Sequence, residues 1–173
     1  MKILVIDDAR RNTLSAASLL SGDVKIADTI KQAYEILHSG ETFDAVLAYL
    51  FMPLGYFRGA MNTRDYDRPS SDLPAGLVFA LKAAQMGIRT VICTDADHHS
   101  DWICSLLDLL YGKEHKVVAY VEARGCTLDA FYDEERDEIV FCKWDDPRRK
   151  GKPCIKDWKK AMERSMLFPE LRS

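Results

Sequence analysis

The chain has 173 residues, 47% of them hydrophobic and 29% charged, which excludes wholesale disorder and suits one domain better than two. Twenty-four Lys and Arg against 27 Asp and Glu leave a formal net charge of −3, without the dominant positive field of a general nucleic-acid or membrane-surface binder. Five cysteines without a C-x-x-C pair, and no apolar run near the roughly 20 residues that span a bilayer, read as reduced thiols in a cytoplasmic protein.

Lys2 to Ile6 is a short apolar run closing on Asp7 and Asp8, as in a strand buried on both faces. A helix follows from Ala9 to Leu20, stopped at Ser21-Gly22-Asp23, and Val24 to Ala27 makes a second strand. Asp28 or Thr29 caps a helix whose Ile30, Ala33, Tyr34 and Leu37 share one face. Ala45 to Leu50 is a third strand closing on Met52-Pro53. Residues 54–73 are polar and aperiodic and read as a long loop, and a loop of that length is usually functional or mobile.

Leu77, Ala80, Leu81 and Ala84 restore the helical stripe, and Thr90 to Cys93 is a fourth strand ending at Thr94-Asp95. Ile103, Leu106, Leu107 and Leu110 give another helix, and Val117 to Val121 a fifth strand. Strands alternating with amphipathic helices build a parallel sheet covered on both faces, so the class is α/β. Beyond Arg124 the pattern loosens into an irregular extension at 124–154. Thr127 to Tyr132 and Glu138 to Trp144 suit a hairpin, and Ile155, Trp158 and Met162 mark a last helix. This tail is too short for a core of its own and is expected to dock on the sheet. The whole of 1–173 then reads as one domain.

Four segments, taken in order, resemble the receiver domain of bacterial response regulators. They are MKILVIDD at Met1 to Asp8, FDAVLAYLFMP at Phe43 to Pro53, GLVFAL at Gly76 to Leu81 and TVICT at Thr90 to Thr94. The resemblance implies a flavodoxin-like fold with strand order 2-1-3-4-5 and a site at the carboxyl edge of the sheet. It also implies that Asp7 and Asp8 hold Mg²⁺ or Mn²⁺, and that Thr94 supplies the switch hydroxyl.

The phospho-acceptor position falls on Tyr49. A carboxylate is anionic at neutral pH, whereas a phenol, with a reference pKa of about 10, is protonated and offers one oxygen. Tyr49 therefore cannot take the acceptor role, and the resemblance is to a degenerate pseudo-receiver. No Lys follows the fifth strand, where Glu122-Ala123-Arg124 stands instead. Lys143 is the candidate for that role if the later strand is the edge strand.

Each candidate has a structural alternative. One of Asp7 and Asp8 can cap the following helix instead of holding metal. Asp95, His98 and His99 can add to a carboxylate–imidazole metal site, or can simply open an exposed helix. Tyr49 is expected to fill the old pocket with its hydroxyl bonded to Asp7, Asp8 or Thr94. The basic run from Arg148 to Lys160, with Trp144 and Trp158, reads as a solvated loop plus a core tryptophan rather than a nucleic-acid surface.

The function expected is a non-enzymatic, receiver-like signalling module that binds a protein partner without aspartyl phosphorylation; the resemblance leaves a homodimer open. The alternative is a metal-dependent phosphate-ester enzyme or ligand-binding protein using the acidic and histidine edge.

Overall fold

The structure, a computed structural model, describes residues 1–53, 74–94, 118–122, 125–165 and 167–171. Five strands, β1 (Lys2–Ile6), β2 (Asp23–Ala27), β3 (Ala45–Tyr49), β4 (Arg89–Thr94) and β5 (Val118–Glu122), pair in parallel in the order β2-β1-β3-β4-β5. This is the flavodoxin-like, receiver-like order expected from the sequence. The register aligns Ile6 with Ala48 and Tyr49 with Cys93. Asp7, Tyr49 and Thr94 therefore stand at the carboxyl ends of adjacent strands.

Alternation along the strands divides the core into two layers. Ile3, Val5, Ala45, Leu47, Val91 and Cys93 form one layer with Ala16 of α1 (Arg10–Leu19) and Trp158, Ala161 and Met162 of the last helix, α4 (Trp158–Arg164). Leu4, Ile6, Val46 and Ala48 form the other with α2 (Ile30–His38) and α3 (Ala75–Gln85). Thr29 caps α2 by accepting the Gln32 N–H at 3.2 Å. The start of α3 presses on β3: a Cβ on Gly76 would lie 1.8 Å from the Tyr49 carbonyl oxygen, and only glycine permits that approach.

The expected hairpin is present but shorter, with β6 (Ala130–Asp133) antiparallel to β7 (Glu138–Phe141). Thr127 does not join it, because it forms an isolated antiparallel bridge with Lys156. The last helix begins at Trp158, so Ile155 and Lys156 precede it in extended chain. The tail docks on the parallel sheet as expected, with Trp158 fully buried. The proposed loop at 54–73 and the helix drawn from Ile103 to Leu110 lie outside the described residues.

No helix among the described residues is long and apolar enough to cross a membrane. The cysteines among them, Cys93, Cys126, Cys142 and Cys154, form no disulfide.

Candidate functional site

Asp7 and Tyr49 extend the same alternating layer that α1 and α4 cover. Asp7 is the first residue beyond β1 and is fully buried. A buried carboxylate must be neutralised or fully hydrogen-bonded to remain charged. Oδ1 accepts from the Ala9 N–H at 2.9 Å and from Asn12 Nδ2 at 3.1 Å. Oδ2 accepts from Asn12 Nδ2 at 3.0 Å and from Lys156 Nζ at 3.0 Å. Three donors, the Ala9 N–H, the Asn12 amide shared between both oxygens and the Lys156 ammonium, thus satisfy both oxygens of Asp7.

The packing of α4 explains how Lys156 arrives. Trp158, Ala161 and Met162 seat that helix on the sheet, which carries the residues just before it over the end of β1. The incoming segment is then tied along its backbone. Asn12 Oδ1 accepts the Lys156 N–H at 3.0 Å, Ser15 Oγ donates to the Lys156 carbonyl, and Trp158 Nε1 donates to the Asn12 carbonyl at 3.2 Å. On the other side the Leu128 N–H donates to the Ile155 carbonyl at 2.9 Å, and the Asp157 N–H to the Cys126 carbonyl at 2.7 Å. Asp157 itself caps α4 by accepting the Lys160 N–H at 2.8 Å.

Lys156 is 5% exposed at its side chain. Its ammonium lies 3.5 Å from the centroid of the Tyr49 ring and 5.8 Å from that of Trp158. An aromatic face carries partial negative charge and attracts a desolvated ammonium. Tyr49 thus meets the cation with its ring, and Asp7 meets it with a carboxylate.

The donor set does not fit a resident divalent ion of the kind the resemblance implies. Both oxygens of Asp7 already accept hydrogen bonds, Oδ2 from the Lys156 ammonium itself, and Asp8, the other half of the expected pair, is solvent-exposed. A divalent ion about 4 Å from the ammonium would meet repulsion of roughly 8 kcal/mol at an effective dielectric near 20. No group of three His, Cys, Asp or Glu among the described residues is arranged to hold a metal. The capping alternative is closer to what Asp7 does: it accepts the Ala9 N–H at the entry to α1, although the position before the helix, Ala9, makes no side-chain cap.

The remaining candidates divide as follows. Thr94 is buried at the end of β4, one residue past the partner of Tyr49. Lys143 is exposed beyond β7, a strand that pairs only with β6 among the described residues, while β5 closes the five-stranded sheet. The condition attached to Lys143 is therefore not met, and among the described residues the lysine bonded to Asp7 is Lys156. Asp95, His98 and His99 lie outside the described residues. Trp144 is 74% exposed with the Arg149 guanidinium 5.0 Å from its ring centroid, and Arg148 and Arg149 pair with Asp146 and Asp129.

Sequence reasoning missed Asn12 and Lys156. Asn12 carried one weak signal, a short polar residue in the first turn after the Asp pair. Lys156 carried another, a lone cation between Ile155 and Trp158, both of which belong to the apolar pattern.

No family model matches the chain, and no curated relative matches it. Among solved structures the chain is similar to a fusion carrying the yeast Spc42 trimeric coiled coil, with 21% identity over 70% of this chain and 66% of that one, just under two thirds, at a TM-score of 0.44. It is also similar to the N-terminal domain of a response regulator/sensory box/GGDEF protein from Carboxydothermus hydrogenoformans, with 18% identity over 70% and 78% of the two chains and a TM-score of 0.43. A third is the bacteriophytochrome response regulator AtBRR, with 20% identity over 70% and 80% and a TM-score of 0.44.

Proposed function

We propose that this chain is a receiver-like signalling module that acts by binding a protein partner and does not pass through an aspartyl phosphate. The observation that carries the reading is Tyr49 at the end of β3, half-buried beneath the Lys156 ammonium at 3.5 Å. A protonated phenol engaged through its ring face is a poor nucleophile toward phosphorus. Among the described residues the buried carboxylate at this edge is Asp7, and both its oxygens are engaged by Ala9, Asn12 and Lys156. The partner surface we propose comprises α4, the edge strand β5 and the segment at 54–73.

The test is incubation with acetyl phosphate, and separately with beryllofluoride, in the presence of Mg²⁺, read by intact mass and by amide NMR. The expected result is an unchanged mass and an unchanged spectrum. Stoichiometric phosphorylation of any aspartate in the pocket overturns the proposal.

A further inference from the structure

The mismatch between the pocket and a divalent ion has a specific consequence. We infer that the acidic edge of this sheet is a cation site whose cation belongs to the chain: the Lys156 ammonium, delivered by the C-terminal extension, takes the place of a metal ion and makes the pocket independent of metal.

Three observations converge on it. The first is charge: Asp7 is fully buried and Lys156 nearly so, and one carboxylate with one ammonium gives a neutral pair. The second is geometry, since the ammonium occupies the space between the Asp7 carboxylate at 3.0 Å and the Tyr49 ring at 3.5 Å. The third is delivery. The backbone of Lys156 is fixed on one side by Asn12 and Ser15 of α1. On the other it is fixed by the bridge to Thr127 and by the flanking bonds to Leu128 and Cys126. The extension therefore acts as an intramolecular ligand for the sheet edge. This inference does not depend on whether a partner binds.

The experiment compares the full chain, Lys156→Met and Asp7→Asn/Lys156→Met in chelator-treated buffer and in millimolar Mn²⁺. Thermal unfolding and paramagnetic broadening of the Ala9 and Asn12 amides are the two readouts. The unsubstituted chain is expected to show neither a melting shift nor broadening. Lys156→Met is expected to melt roughly 10 °C lower. Mn²⁺ should then recover several degrees and broaden both amides, because Asp7 is left uncompensated beside Asp8. The double variant is expected to ignore the metal.

If Lys156→Met is unfolded without metal, recovery of its far-UV signal by Mn²⁺ supports the inference and failure to recover counts against it. Broadening of the unsubstituted chain to the same degree overturns it. So does a folded Lys156→Met that is indifferent to Mn²⁺, or a double variant that responds. Phosphorylation in the acetyl phosphate experiment would remove the proposed function without producing any of these outcomes.

Discussion

Lys156 and Asp7 are 149 positions apart in sequence and 3.0 Å apart in the fold, both buried. Removing one member of such a pair leaves the other charged and unpaired, which costs about 3–5 kcal/mol, whereas replacing both with neutral groups is often close to neutral. Lys156→Met should therefore destabilise the chain by about that amount, and Asp7→Asn/Lys156→Met should recover most of it. Urea unfolding of the two single variants and the double variant measures the coupling directly.

Tyr49 presents its ring face to the Lys156 ammonium at 3.5 Å. Tyr49→Phe keeps that face and should be tolerated much better than Tyr49→Leu, which forfeits the ammonium–ring attraction, about 1–2 kcal/mol at a desolvated site. Equal losses in the two variants, measured by denaturant unfolding, would show that the hydroxyl and not the ring matters.

Gly76 is where α3 meets β3. Its N–H donates to the Leu50 carbonyl at 3.0 Å, and an added Cβ would also lie 2.7 Å from the Tyr49 carbonyl carbon and 3.0 Å from Leu50 Cα. These obstacles are backbone atoms and cannot rotate away. Gly76→Ala should cost at least about 2 kcal/mol and should shift the Tyr49 and Leu50 amide resonances. An unperturbed melting curve would contradict the close approach.

The β6–β7 turn is tied to α1 through Asp137, a non-glycine residue at φ 50°. Asp137 accepts from Arg10 Nε at 3.0 Å and from the Tyr132 hydroxyl at 2.6 Å. The Arg10 guanidinium foremost, and then Tyr132, hold the Asp137 carboxyl down from 3.8 to about 2. A depressed carboxyl contributes stability that is fully present above its unfolded value and is lost as pH falls through the folded one. The tie should thus hold at pH 4 and above and weaken towards pH 2, within the sequence of local openings that acid produces. Hydrogen exchange of the hairpin amides should show that weakening, and Arg10→Gln should reduce its dependence on pH in that window, leaving the part that the Tyr132 hydroxyl supplies.

The fold was legible because its signals are local. Ile3, Val5, Leu47 and Val91 lie in short apolar runs, and Ala33 and Leu37 mark a helical stripe, so parallel strands and covering helices could be read directly. The hairpin was legible in kind but not in extent. Thr127 has the composition of a strand residue, yet its partner is Lys156, and no pattern near Thr127 records that. The site was half legible. Asp7 and Thr94 stand where short apolar runs end, and Tyr49 was reached through the resemblance to receiver domains. The lysine does not, because its place depends on how α4 packs rather than on anything adjacent to a strand. Proximity in sequence favoured Lys143; the burial of Trp158 and Met162 brings in Lys156.

The most direct measurement is NMR of the Lys156 side chain in the unsubstituted chain. A buried ammonium bonded to Asp7 over the Tyr49 ring should give an observable, slowly exchanging NH₃⁺ signal at neutral pH. Its ε-methylene protons should be displaced upfield by the ring, and that displacement should vanish in Tyr49→Leu. A Lys156 signal at the position of free lysine, with protons exchanging at the solvent rate, would contradict an internally supplied cation.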